Sequence, residues 1–231
     1  MQLARAEETL LGDILSDLFG YHLVVLDPPC KPDALGASRI MHRVLQTREA
    51  EGLADAPALI AQAEALPFQS DSIDAFVLPH VLEVTADKHQ VLREVDRCLV
   101  GEGHVVILGF NPFGWWGLRR LISGSRARVP WSLPLVGMSR VKDWLSLLGF
   151  DIVHTQYFFP YPPWQYGSEH SNWKLLQRLH HERWPLFAAA YVLVARKRLT
   201  TLTPIKPRWR HRRGILPGMA EPHQGRVSSN E

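Results

Sequence analysis

Residues 58–110 change hydrophobic period several times in succession, and the changes spell strand, loop, strand, helix, strand. Residues 58–62 form a short apolar run, and residues 73–78 a second one, rich in β-branched and aromatic side chains. From 87 to 99 the period lengthens: Val91, Leu92, Val95, Cys98 and Leu99 share one face of a helix, and Gly101 and Gly103 are placed to stop it. Residues 105–110 are apolar at nearly every position, as in a strand covered on both faces. Strands alternating with a helix of that length predict a parallel sheet with right-handed crossovers.

The flanking segments extend this pattern. Residues 8–19 place Leu10, Leu11, Ile14, Leu15, Leu18 and Phe19 on one helical face, with Gly20 where a left-handed cap belongs. Residues 21–26 read as the first strand, which runs into Asp27-Pro28-Pro29-Cys30-Lys31-Pro32, and residues 39–45 read as the next. That leaves about eleven residues for a turn and a crossover helix that together need roughly fifteen, so the helix is expected to shrink to a turn. Further on, residues 139–148 read as a helix with Ser139 as cap, Val141, Trp144, Leu145 and Leu148 inward, and Gly149 closing it. Residues 150–159 and 188–195 are the last two strands.

Two stretches interrupt the alternation. Asn111 and Pro112 start a helix over 112–122 that carries Trp115, Trp116, Arg119 and Arg120, followed by a loop with Arg126 and Arg128 exposed. Its aromatic and basic mixture fits either tryptophans packed on the body or a lid or docking surface. Residues 160–184, rich in Tyr, Trp, Pro and His, form a long loop or partly helical insertion. Within it His170, and with it His180 and His181, show no metal-ligand spacing, so no metal is expected.

Composition narrows the class. A chain of 231 residues, 46% hydrophobic and 21% charged, is long enough to bury a substantial core in one globular domain. It lacks a run of about 18 apolar residues, so no transmembrane segment is expected. Arg5, Glu7 and Glu8 break up any leader-like apolar stretch, and two cysteines, Cys30 and Cys98, are too few for a disulfide framework. A cytoplasmic location is the expectation. Nine Lys or Arg and no acid fall between Arg183 and Ala220, while the other 17 stand against all 23 Asp and Glu. The chain therefore reads as a mildly acidic domain over 1–198, with an aromatic and basic insertion at 112–138, a second insertion at 160–184, and a basic Pro- and Arg-rich extension over 199–231. That extension points to an anionic partner, nucleic acid or a membrane surface.

The motifs Ala63-Glu64-Ala65-Leu66-Pro67-Phe68, Ser72-Ile73-Asp74 and Pro79-His80-Val81-Leu82-Glu83, continuing through Leu92-Arg93-Glu94-Val95 and Leu99-Val100-Gly101-Glu102-Gly103-His104, resemble class I S-adenosylmethionine-dependent methyltransferases of the small-molecule type. The resemblance implies a Rossmann-like α/β fold, a mainly parallel seven-strand sheet with helices on both faces. It also implies S-adenosylmethionine as cofactor and methyl transfer to a small-molecule acceptor. On the family's pattern the adenine lies along Gln62 to Phe68, with Gln62, Ala63 and Glu64 as the candidate contacts, and the ribose or methionine near Asp27, Pro79 and His80. The core motifs, the Trp-Trp-Gly-Leu-Arg-Arg segment and the basic tail together resemble an uncharacterised group of proteobacterial methyltransferase-like proteins.

The chain departs from the family at two places. Where the family has a Gly-rich turn after the first strand, Pro28 and Pro29 remove two backbone donors. Where it has a ribose-holding acid, Gln46 and Thr47 stand, with Glu49 a residue or two late. Bland readings stay open: Asp27 as a turn-former, Asp74 as a tie to loop backbone, His80 as a packing residue rather than a base, Glu83 as the prelude to a helix, Cys98 as core. A second function is therefore carried beside the enzyme: a pseudo-methyltransferase with a degenerate cofactor site that binds a partner through its basic tail and aromatic insertion.

Overall fold

The computed structural model describes residues 2–28, 33–48, 58–114, 134–158 and 188–199. A helix α1, Gln2–Ser16, leads into β1, His22–Leu26. A one-turn 3-10 helix, Asp33–Ala37, precedes β2, His42–Thr47, and β3, Ala58–Ile60. Then come β4, Ile73–Pro79, a short α2, Val81–Val84, α3, Lys88–Cys98, and β5, Leu99–Phe110. Helix α4, Met138–Leu147, and strands β6, Phe150–Phe158, and β7, Ala190–Lys197, complete the order.

The seven strands form one sheet in the order β3-β2-β1-β4-β5-β7-β6. The pairs β1–β2, β2–β3, β1–β4 and β4–β5 are parallel, and β7 is antiparallel to both β5 and β6. The expected sheet is thus the one observed. Its central strands read as unbroken apolar runs because both faces are covered. Leu23 and Val25 pack beneath α1 with Leu11, Leu15, Val77 and Val106. Val24 and Leu26 face the opposite layer, where Phe76 and Ile107 meet Val91 and Val95 of α3 and Val141 and Leu145 of α4. All four side chains from Leu23 to Leu26 have zero exposure, and each such aliphatic contributes about 2 kcal/mol of transfer energy.

Local chemistry moves several boundaries away from the sequence expectations. Helix α1 ends at Ser16, not 19, and Phe19 is 69% exposed beneath the Arg39 guanidinium. Gly20 is not its cap: a Cβ there would lie 2.4 Å from Asp74 Cβ, so Gly20 is the residue that lets Asp74 close on the strand entry. Asp74 Oδ2 accepts from the backbone N–H of Tyr21 and of His22, both at 2.9 Å, the structural tie expected of it. Strand β2 starts at His42 rather than 39. Ser38 Oγ takes the Ile40 N–H, and Arg43 donates to the carbonyls of Ser38 and Ile40, so that backbone is spent locally. Among the described residues of the first crossover, the helical element is the short 3-10 turn Asp33–Ala37, in keeping with the expected shrinkage.

Helix α3 is capped by Asp87, whose carboxylate accepts from Gln90 N, and stops at Cys98 without glycine, because Leu99 is already extended at φ −75° and ψ 133°. Gly101 and Gly103 instead sit inside β5, where the register jumps from Ile73↔Leu99 to Ala75↔His104 and Glu102 takes φ 67°. Helix α4 begins one residue before Ser139, with Gly137 at its cap, and Gly149 closes it at φ 86°. Ala188 and Ala189 precede β7 because Asn111 claims their carbonyls through its side-chain and backbone N–H.

Chain contacts divide the molecule after Leu199, and Thr200–Glu231 lies outside the described residues. So do Cys30, Glu49, Trp115, Trp116, Arg126, Arg128 and the insertion histidines. Among the described residues no helix is long and apolar enough to cross a membrane.

Candidate functional site

From β1 the chain crosses to β2 on one side, and from β4 it crosses to β5 on the other, so a crevice opens where the two directions diverge, past the C-terminal ends of β1 and β4. The register that pairs Val25 with Val77 sets Asp27 opposite Pro79 across this crevice.

Asp27 adopts a left-handed backbone, φ 42°, and its N–H donates to the Gln46 carbonyl at 2.8 Å. Its carboxylate accepts from the Arg48 backbone N–H at 3.0 Å and faces the Arg48 Nε at 2.6 Å. Burial pushes the Asp27 carboxyl up, and the Arg48 charge opposes this only in part. Arg48 reaches onward, its Nη2 donating to Thr85 Oγ1 at 2.7 Å. The position where an acid was sought at the end of β2 is filled otherwise. Gln46 is wholly buried, and its Nε2 donates to the Ala61 carbonyl.

Residues 61–68 form a turn bridged from Gln62 to Ala65. Ala63 is buried, Glu64 half-buried and Gln62 exposed. The turn is fastened to α3 by two residues to which sequence reading gave no role. Glu94 Oε2 accepts from Leu66 N at 3.0 Å, and Arg97 donates to the carbonyls of Leu66 and Phe68, both at 2.9 Å. The Arg97 hydrogen bond holds the Glu94 carboxyl below its usual range. The available signal was an acid and an arginine three apart beside an apolar helical face.

His80 follows β4 with φ 57°, and its ring stacks on Phe110 at 4.1 Å between centroids. Its Nε2 lies 3.0 Å from Glu7 Oε1 on α1. Burial pulls the imidazole pKa down, but the Glu7 hydrogen bond and the charges of Glu7 and Glu83 reverse that, leaving it raised. In the neutral ring Nε2 carries the proton shared with Glu7, so Nδ1 is the acceptor. Glu83 is 1% exposed; its Oε1 accepts from Phe110 N at 2.9 Å, and burial pushes its carboxyl up. Rather than merely preparing α2, Glu83 braces the end of β5. Gly109 makes room for it, since a Cβ there would fall 2.4 Å from Tyr191 Oη and 2.9 Å from Glu83 Oε1.

Among the described residues, the buried side-chain polar atoms without a hydrogen-bond partner are Gln46 Oε1, His80 Nδ1 and Glu83 Oε2. All three belong to residues at this one edge of the sheet, past or at the ends of β2 and β4. Between α1 and the ends of β1 and β4 lies a cavity of about 50 Å³, bordered by Glu7, Glu8, Pro28 and Pro79. No cluster of three or more metal-ligating side chains occurs among the described residues.

A family profile described as a methyltransferase domain matches residues 32–107. The uncharacterized protein YafS of Escherichia coli strain K12 is 32% identical over 205 residues, covering 87% of this chain and 80% of its own. The chain belongs to one family with YafS, and by its methyltransferase domain to the class I S-adenosylmethionine-dependent methyltransferase superfamily. Among solved structures, an S-adenosylmethionine-dependent methyltransferase from Archaeoglobus fulgidus superposes with a TM-score of 0.62 at 14% identity, covering 84% of this chain and 94% of that one. The [4+2]-cyclase SpnF does so at 0.60 and 16%, over 84% and 80%. At such identities the likeness is one of fold, and a cyclase among the neighbours shows how far chemistry varies on it.

Measured against the family's cofactor, the edge fits in its donor and acceptor set. It offers a carboxylate at the end of β1, a fastened turn after β3, and three buried polar atoms free to bond. It differs where Pro28 replaces a donor, and where Arg48 stands in the neighbourhood of the ribose acid.

Proposed function

We propose that the chain transfers a methyl group from S-adenosylmethionine to a small-molecule acceptor at the crevice between β1 and β4. The observation that carries this reading is that Asp27, at the end of β1, is flanked by Gln46 and by His80, each with a buried side-chain atom that has no partner, since buried polar groups are otherwise bonded. When bound, the cofactor supplies an electrophilic sulfonium methyl. This chain's residues position it: Gln62, Ala63 and Glu64 line the adenine side, while Asp27, Pro79 and His80 hold the ribose and methionine side. Asp27 accepts from a hydroxyl or ammonium, in competition with Arg48. His80, its tautomer set by Glu7, offers Nδ1 as a second acceptor or as a proton acceptor. Acceleration then rests on holding the two reactants in line.

Calorimetry with S-adenosylhomocysteine tests the reading. Binding with a dissociation constant of roughly 0.1 mM is expected, weakened about tenfold or more in Asp27→Ala by loss of a charge-assisted bond. Low-micromolar binding indifferent to the substitution would remove Asp27 from the site. Absence of binding at millimolar ligand would overturn the enzyme in favour of a partner-binding protein.

A further inference from the structure

Past the ends of α2 and β5, on the side of the sheet away from α1, lies a cleft of about 870 Å³. Its volume falls within the ~300–1,000 Å³ of small-molecule sites. It adjoins the crevice through two short links. Thr85, held by Arg48 through its hydroxyl, immediately precedes the cleft wall at Ala86 and Asp87, and Phe110, stacked on His80, is two residues before Pro112.

The lining is a mixture of cation and ring. Arg140 is exposed on the first turn of α4 and has no ion-pair partner among the described residues. Beside it stand the Ser139 hydroxyl and, across the cleft, Lys88, whose ammonium donates to the Thr85 carbonyl at 3.0 Å. The acid on the wall, Asp87, is spent in capping α3. Rings are part of the lining: Trp144 meets His89 at 4.4 Å between centroids, and Phe113 is 71% exposed. A planar guanidinium pairs best with a planar carboxylate, and ring side chains in a lining favour a flat apolar body.

We propose that this cleft is the acceptor pocket and that it takes an aromatic carboxylate, with Arg140 pairing to the carboxylate and Trp144 and Phe113 offering ring contact. The assignment of the occupant as acceptor rests on the methyl-transfer reading; the ligand class rests on the cleft alone.

The test uses full-length protein labelled at its indole nitrogens, the Trp144 signal being identified by its loss in Trp144→Phe. Titration with benzoate should move that signal saturably, whereas benzamide, the neutral isostere, and benzoate on Arg140→Gln should each bind about tenfold more weakly or worse. Equal binding of benzamide, an unaffected Arg140→Gln, or a still signal at about 10 mM benzoate would each overturn the proposal. Inorganic phosphate producing the same shift would also overturn it, since the rings would then play no part. Calorimetry with S-adenosylhomocysteine on the same sample separates the two readings. Nucleoside binding without benzoate binding sinks the cleft and spares methyl transfer; the reverse sinks methyl transfer and leaves a carboxylate site.

Discussion

Replacing Glu7 by Gln keeps an oxygen within reach of His80 Nε2 and removes its charge. The two side chains are each 13% exposed and 3.0 Å apart, so solvent screens the pair little. At an effective dielectric of about 20 the gross attraction at that distance is roughly 5 kcal/mol, most of it offset by desolvating both charges. What survives is the excess of a charged over a neutral hydrogen bond, about 1–2 kcal/mol. The folded-state pKa of His80 is raised, so its contribution is complete below the unfolded value of 6.5 and disappears as pH rises through the folded one. Glu83 and Lys88 face the same cluster, and the Glu83 carboxyl is raised too, but both are common to parent and variant and leave the difference unchanged. Glu7→Gln should therefore cost about 1–2 kcal/mol at roughly pH 5.5 and under about 0.5 kcal/mol near pH 8.5. Urea unfolding at the two pH values reads this directly, with ring NMR of His80 showing its pKa fall in the variant. An equal loss at both pH values would refute the reasoning, because the imidazole would then be neutral throughout and Glu7 a mere packing contact.

Three further outcomes are expected. Asp74→Ala strips the acceptor from the N–H groups of Tyr21 and His22 and should cost about 2 kcal/mol in urea unfolding. Arg97→Ala releases the carbonyls of Leu66 and Phe68 and should lower S-adenosylhomocysteine affinity several-fold in calorimetry while costing only about 1 kcal/mol of stability, since Arg97 is 37% exposed. Deleting residues 200–231 should leave the melting temperature within about 1 °C, because the cut spares Leu199, which lies against Gly101. The full chain is expected to bind a DNA duplex with a salt slope of roughly −5, from the six Lys or Arg in the deleted segment, and the deletion to abolish that binding.

The parallel sheet was legible because buried strands such as Leu23–Leu26 and Val105–Ile107 leave no room for polar residues, so their runs identify themselves. The shortened first crossover was legible for a similar reason, since chain length between two strands is a hard limit. Ends of elements were not. Gly20, Gly101 and Gly103 all look like helix stops, yet Gly20 clears space for Asp74 and the other two lie in a bulged strand, roles that depend on what approaches from elsewhere. At the crevice, the position of Asp27 and His80 just past a strand was readable from the apolar runs that precede them. Their partners Arg48 and Glu7 were missed, because nothing local tells which of the chain's charges meet across 21 or 73 residues.

The same partnerships set how tightly this edge can hold a cofactor. In the family a glycine turn brings free backbone donors to the methionine end. Here Pro28 has none to give, and Asp27 N–H is taken by Gln46. Two lost charge-assisted contacts amount to about 3 kcal/mol, or a hundredfold in affinity. Arg48 does not restore the lost donors: it is bonded at both ends, to Asp27 and to Thr85, and competes with a ligand for the Asp27 carboxylate. A ligand hydroxyl that takes the Asp27 Oδ2 site facing Arg48 displaces the guanidinium, which then becomes a donor still anchored through Thr85, one residue from the wall of the cleft. Ligand binding at the crevice and the charge offered to the cleft are thereby coupled through one side chain. Arg48→Gln should thus strengthen the contact between S-adenosylhomocysteine and Asp27 while weakening benzoate in the presence of the nucleoside. If both affinities fell together, Arg48 would be part of the cofactor site itself rather than its competitor.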